Sequence, residues 1–356
     1  APSARNPITN PDGARVRRDY VLKRMRDLQH ITEDDYLAAT NAPVAAARHI
    51  APVEVEAAYV AEMARSYMVE NYGKTAYTKG YRVYTTINSN NQTAANRALR
   101  RGLIAYDQRH GFRGPVGFLD PDAEGDFSLV DALQQYASIG GLQPAVVSEV
   151  SSDSIDVLLS SGDITQINPA GWRWTAHKIS SELRTGDVVY VAMKTGTTQL
   201  AQVPEIQGAI VSLDPTDGAL LALTGGFDFY AGKFNRATQA RRQPGSNIKP
   251  FIYSAALDNG FTAATLVSGT PIVVEDDLGD TWRPVNYSKK VFGPTRLRRA
   301  LVQSLNLVSV RLVRGLGTPL VLEHLQQFGF DREHLPQGLS LALGAANFTP
   351  LEMARA

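Results

Sequence analysis

The sequence predicts an α+β multidomain chain, and three observations carry that expectation. Apolar residues recur at helical spacing through most of the first 110 residues. From about 113 to 205 the texture changes to short β-like runs separated by Gly, Asp, Ser and Pro, the pattern of a small all-β barrel or sandwich. From Gln207 two apolar strands precede long helical stretches, which suggests helices grouped around an antiparallel sheet.

Residues 12–47 read as helical, with Val16, Tyr20, Val21, Met25 and Leu28 on one face and Arg17, Arg18, Lys23 and Arg24 on others. The arginine-rich face reads as solvated surface. Thr32-Glu33-Asp34-Asp35 offers a capping box for a second short helix, with Asp35 in the place of the usual Glu. Residues 55–70 form a further amphipathic helix, and the β-branched and aromatic run 80–87 reads as a strand. A helix follows over about 91–108, with Ser89-Asn90-Asn91 as its N-cap, ending before Gly111. The β-like runs lie at 145–150, 154–159, 187–193 and 200–203. Strands at 208–213 and 219–223 are joined by Asp214-Pro215-Thr216-Asp217-Gly218, which has turn chemistry at every position. Helices are expected at about 247–258, 296–315, 319–328 and 349–356.

A length of 356 residues implies two or three domains, and 44% apolar content suffices for real cores. Lys and Arg number 36 against 35 Asp and Glu, so the overall balance carries no nucleic-acid footprint. The absence of cysteine excludes disulfides, thiolate nucleophiles and Cys-based zinc sites. The six histidines are scattered without metal-ligand spacing, and no Gly-rich phosphate loop appears, so neither metal nor cofactor is expected. No apolar run reaches the ~18 residues of a membrane span, and no signal peptide opens the chain. Both ends read as cut, so a segment of a larger protein is expected.

The chemistry centres on Ser246-Asn247-Ile248-Lys249, the only Ser-x-x-Lys in the chain, within Arg242-Gln243-Pro244-Gly245 and Pro250-Phe251. Gly245 permits a tight turn, Pro250 is tolerated in a first helical turn, and Asn259-Gly260 is a stop signal. Ser246 is thus expected at the positive end of a helix, with Lys249 beneath its hydroxyl. A buried amine there would be kept neutral and could act as a general base for a serine nucleophile. Downstream, Ser304-Leu305-Asn306 places a polar triplet between two apolar runs, where it must find partners. Lys194-Thr195-Gly196 is read as a coincidence in a loop of the β region. It precedes Ser-x-x-Lys, and a strand running into a Gly/Thr turn needs no catalytic explanation.

These motifs resemble the first two of the serine acyltransferases that react with penicillin. More of the chain is similar to class A, bifunctional penicillin-binding proteins of the 1A type from Gram-negative bacteria. The resemblance runs through Arg17-Arg18, Val21-Leu22-Lys23-Arg24-Met25, Thr85-Thr86-Ile87-Asn88, Gln207-Gly208-Ala209-Ile210-Val211, Gly225-Gly226-Phe227-Asp228-Phe229, Phe234-Asn235-Arg236-Ala237-Thr238-Gln239-Ala240, Leu343-Gly344 and Thr349-Pro350-Leu351. The family usually has Asp where Asn88 stands. The resemblance implies the tail of a glycosyltransferase domain over 1–50 and a linker with strand and helix over 51–112. It further implies an oligonucleotide/oligosaccharide-binding (OB)-like insert over 113–205 and the first part of a transpeptidase domain over 206–356.

Carried over, the family's roles make Ser246 the acyl-accepting nucleophile and Lys249 its base. Ser304 relays a proton to the leaving group, and Asn306 holds the substrate amide. The implied reaction is D,D-transpeptidation of peptidoglycan stem peptides ending in D-Ala-D-Ala, on glycan strands at the periplasmic face of the inner membrane. β-Lactams would be inhibitors, and outer-membrane lipoprotein activators or other cell-wall synthases would be partners. The third motif, Lys-Thr-Gly on a strand, is expected after Ala356, so this segment alone is expected to acylate poorly. The alternatives are a D,D-carboxypeptidase or β-lactam hydrolase, and a non-catalytic β-lactam- or glycan-binding module.

Overall fold

The computed structural model describes residues 5–8, 10–46, 53–121, 128–175, 179, 182–194, 196–275 and 281–356, with backbone alone at Lys194 and Glu275. The chain divides into two compact units, Ala1–Glu54 and Val55–Ala356. In the first, α1 (Pro11–Asp27) and α2 (Glu33–Asn41) form a helical hairpin. Thr32 and Asp35 make the expected capping box. Arg18 departs from the solvated-surface reading. Its guanidinium donates to the Thr40 and Ala42 carbonyls at 2.9 and 2.6 Å and so closes the end of α2.

The second unit begins with α3 (Ala58–Tyr72), whose Tyr59 and Val60 are buried, and continues to α4 (Ser89–Gln108). Residues 80–88 between them form no strand, contrary to the expectation for 80–87. They make isolated bonds instead, Thr86 Oγ1 to Leu220 O at 2.8 Å and Asn88 N to Leu221 O at 3.0 Å. The cap of α4 is Asn88, one residue before the expected Ser89. Its Oδ1 accepts from the N–H groups of Asn90 and Asn91.

Short elements β1 (Gly117–Phe118) and α5 (Leu129–Leu133) lead into β2 (Gln143–Val150), β3 (Ile155–Leu159), β4 (Ile164–Ile167), α6 (Pro169–Trp172), β5 (Asp187–Lys194) and β6 (Thr197–Ala201). Their pairing runs β1-β5-β2-β3-β4-β6, and β5 also pairs with β6, so β2 to β6 close into a ring. The β4–β6 join is parallel at Ile167↔Thr198, and the rest are antiparallel. A closed five-stranded barrel of this kind is an OB-type topology. Alternate residues Ile155, Val157 and Leu159 face its interior with Ala145, Val147, Val189, Val191 and Leu200. Lys194 pairs with Thr197 at the tip of the β5–β6 hairpin, where Gly196 takes a φ of 80°, and Thr195 lies outside the described residues. The last strand spans 197–201 rather than 200–203.

The chain enters and leaves this barrel beside one buried carboxylate. Asp107 Oδ1 accepts from Arg113 Nη1 at 2.8 Å, and its Oδ2 accepts from Gln202 Nε2 at 2.8 Å. Leu142 and Tyr190 of the barrel share a core with Leu99, Leu103 and Phe227.

The hairpin of β7 (Ile210–Leu213) and β8 (Leu220–Thr224) follows. The Gln92 amide docks on β8 as a neighbouring strand would. It accepts from Leu223 N and donates to Leu223 O, both at 3.0 Å. Beyond α7 (Arg236–Gln239), a 3₁₀ turn over Gly245–Ile248 runs into α8 (Lys249–Asp258). Two short antiparallel pairs follow, β9 (Leu266–Ser268) with a later strand and β10 (Val274–Glu275) with β11 (Thr281–Trp282). The partner of β9 is β12 (Pro294–Arg296). The expected helix over 296–315 is two, α9 (Leu297–Val302) and α10 (Asn306–Leu316). Then come α11 (Thr318–Gln327), a 3₁₀ turn at Leu339–Leu343 and α12 (Pro350–Arg355). Ile248, Ile252, Tyr253 and Ala256 of the 3₁₀–α8 segment sit in a core completed by Leu297, Ala300, Val308, Leu312, Val321 and Leu325.

Candidate functional site

Ser246 sits in the 3₁₀ turn that precedes α8, rather than on the α-helix itself. A 3₁₀ turn stacks residues three apart, so it keeps Ser246 and Lys249 on one side. Gly245 before it has a φ of 55°, a backbone state that a side chain would strain. The turn is held from behind. Arg242 and Phe348 exchange backbone bonds at 2.9 and 3.0 Å, and a Cβ on Gly344 would lie 2.2 Å from Gly245 O. Ser246 is exposed, and its Oγ has no hydrogen-bond partner among the described residues.

Lys249, by contrast, is buried at 1% exposure. Its Nζ donates to Ser304 O at 2.7 Å, Ser304 Oγ at 3.0 Å and Asn306 Oδ1 at 2.7 Å. Three acceptors match the three N–H bonds of an ammonium. None of them carries a charge, so burial is not offset by a counter-ion. The amine is accordingly lowered to about 8 by desolvation. The sequence reading placed Lys249 directly beneath the Ser246 hydroxyl. The structure instead gives the amine's bonds to the Ser304–Asn306 triplet, because those oxygens are the acceptors within the buried space.

That triplet occupies the break between α9 and α10. Ser304 N donates to Leu301 O and Leu305 N to Ala300 O, both at 2.9 Å, the paired bonds of a Schellman ending. The left-handed position of such an ending favours glycine, but Ser304 fills it at a φ of 52°. In this backbone state the Ser304 carbonyl and hydroxyl both face Lys249. Asn306 opens α10, with Oδ1 on Lys249 and Nδ2 on Val285 O at 2.9 Å. Lys249, Ser304 and Asn306 thus meet where α8 and α10 begin, with Ser246 in the turn just before Lys249. Among the described residues, no group of three or more His, Asp or Glu is placed to hold a metal ion.

Two supporting residues were missed in the sequence. Asn286 is 3% exposed, accepts from Leu307 N at 3.3 Å and donates to Lys290 O at 2.9 Å. It ties the start of α10 to the turn carrying the fully exposed Tyr287. Gly344 matters only through its approach to Gly245, and nothing local in the sequence signals either contact.

Residues 112–206 match the penicillin-binding protein OB-like domain, and residues 208–356 match the penicillin binding protein transpeptidase domain. The whole chain is 45% identical to penicillin-binding protein 1A of Pseudomonas aeruginosa and 40% identical to that of Escherichia coli. This chain belongs to the penicillin-binding protein family. It spans less than half the length of these relatives, 45% and 44% respectively. The crystal structure of penicillin-binding protein 1A from Haemophilus influenzae superposes with a TM-score of 0.89 at 38% identity, over 99% of this chain and 52% of that one. The α+β class and the resemblance to class A penicillin-binding proteins of the 1A type are thereby shown.

Proposed function

We propose that this chain carries the acylation half-site of a peptidoglycan D,D-transpeptidase that uses Ser246 as its nucleophile. The observation that supports this most is the buried amine of Lys249, one turn from an exposed serine and bonded to Ser304 and Asn306. At pH 7 an amine lowered to about 8 is neutral in about a tenth of molecules. That fraction has a lone pair free to take a proton.

In this reading Ser246 Oγ attacks the penultimate D-Ala carbonyl of a stem peptide and its proton passes to Lys249. The C–N bond to the last D-Ala then breaks, and that amine takes a proton relayed through the Ser304 hydroxyl. An amine of a neighbouring stem attacks the ester and regenerates Ser246. Asn306 Nδ2 has two hydrogens, one committed to Val285 O, so the second is available to a substrate carbonyl. A β-lactam would follow the same path to the ester and stop there. The setting is the periplasmic face of the inner membrane, where this substrate lies.

The test is covalent labelling of the full-length protein with a fluorescent penicillin. Label is expected on Ser246 and absent from Ser246→Ala. Equal labelling of the two proteins would refute the assignment.

A further inference from the structure

A second concave surface lies on the other side of α9 from Lys249. It is a groove of about 720 Å³ bounded by Arg296, Arg298 and Arg299, with Ala263, Leu266 and Val302 among its apolar lining. All three arginines are exposed, and none forms an ion pair among the described residues. Among the described residues, no acidic side chain lines the groove. Leu297 and Ala300, on the opposite side of the same helix, are buried in the core that holds α8.

This arrangement is costly without a ligand. Arg296 caps α9 and Arg298 stands in its first turn, the positive end of the helix, where acidic residues are normally favoured. Leu266 and Val302 are also left 61% and 80% exposed between them. Local sequence choices that oppose stability in this way concentrate where a surface has another use. Guanidinium groups pair with carboxylates in a bidentate fork, and the small apolar lining suits methyl-sized side chains. The groove is also close to the acyl site along the chain, because Val302 ends α9 two residues before Ser304.

We infer that the Arg296–Arg298–Arg299 groove is a subsite for a carboxylate-bearing peptide with small side chains, namely a stem peptide of the peptidoglycan substrate. This rests on the transpeptidase reading for the identity of the peptide. On α9, the helix that leads into Ser304, the groove holds the stem through its free carboxylates. A lipid surface is less well matched, since the apolar lining is shallow alanine, leucine and valine rather than a protruding aromatic or amphipathic face.

The experiment uses the full-length protein with Ser246→Ala, so that no turnover occurs. Binding of a fluorescent synthetic stem pentapeptide is read by anisotropy, beside the same peptide with its carboxylates converted to carboxamides. Replacing the three arginines together by Gln is expected to weaken the acidic peptide about tenfold and to flatten its salt dependence. Binding of the carboxamide peptide should be the same in both proteins. Replacement by Lys, which keeps the charge but loses the bidentate fork, should restore only part of the affinity, and an unchanged melting temperature shows that the fold is intact. Equal binding of the acidic peptide to the parent and the Gln variant would overturn the inference. So would arginine-dependent binding to phosphatidylglycerol vesicles without peptide binding, which would make this a membrane-facing surface. Penicillin labelling of the protein with Ser246 intact is the separate control. Its absence refutes the transpeptidase reading and leaves the anisotropy measurement readable on its own.

Discussion

Lys249 Nζ donates to Asn306 Oδ1 at 2.7 Å, joining the first turn of α8 to the first turn of α10. With the two bonds to Ser304, this makes the amine the point at which both helix starts are registered against each other. Charge state and geometry are therefore coupled. The ammonium fills all three acceptors, and proton loss leaves one acceptor unsatisfied and a lone pair available.

The first prediction concerns pH. If the neutral amine is the base, the labelling rate of Ser246 rises about tenfold per pH unit below 8 and levels off above it. Stability gives an independent check. The folded value of about 8 lies below the ordinary 10.5, so between them the unfolded chain holds more protons than the folded one. Stability contributed by this group therefore rises with pH from about 8 to 10.5, and the penalty is constant below 8. Denaturant midpoints should show this rise in the parent, and Lys249→Met should lack it.

Ser304 supplies the second. Its φ of 52° would be relaxed by glycine, worth about 1 kcal/mol, which offsets the lost hydroxyl bond to Lys249. Ser304→Gly is expected within about 0.5 kcal/mol of the parent in urea unfolding, and Ser304→Val about 2 kcal/mol below it. Both should slow penicillin labelling by at least about tenfold. A fast-labelling Ser304→Gly would remove the hydroxyl from the proton path.

The third tests the support behind the nucleophile turn. Gly344→Ala adds a Cβ 2.2 Å from Gly245 O at a φ of 71°, so the Gly245–Ser246 backbone must shift. We expect a loss of about 2–4 kcal/mol in urea unfolding. Labelling should fall even at temperatures where the variant is fully folded.

Asn286 is the fourth. Removing its amide leaves Leu307 N and Lys290 O without their partner, a loss of about 1–2 kcal/mol. Because the same turn holds Asn306 through Val285, Asn286→Ala should also slow labelling several-fold. A stability loss with unchanged labelling would confine Asn286 to a structural role.

Features governed by near neighbours were legible in the sequence. The Thr32–Asp35 capping box, the Asn259-Gly260 helix end and the 214–218 hairpin turn all depend on contacts within a few residues. Residues 80–87 have strand composition, but a strand needs a ladder partner, and among the described residues β8 gives Thr86 and the following Asn88 one isolated bond each. The break at Ser304 was invisible because its residue is not the glycine such endings favour. The Ser246–Lys249 pair was visible as a motif. Ser304 and Asn306 were visible as a second motif, but their bonds to Lys249 were not, since they lie 55 and 57 residues away and are brought close only by the packing of α8 on α10. The grouping of Gly245 with Gly344 was hidden for the same reason.

The Asp107 junction has a mechanical consequence. Both arms of the barrel answer to one carboxylate, through Arg113 on the way in and Gln202 on the way out. The barrel is rooted rather than leashed. A force applied to its far side is delivered to α4, and the Gln92 grip on Leu223 passes it to β8 rather than letting it dissipate in a swivel.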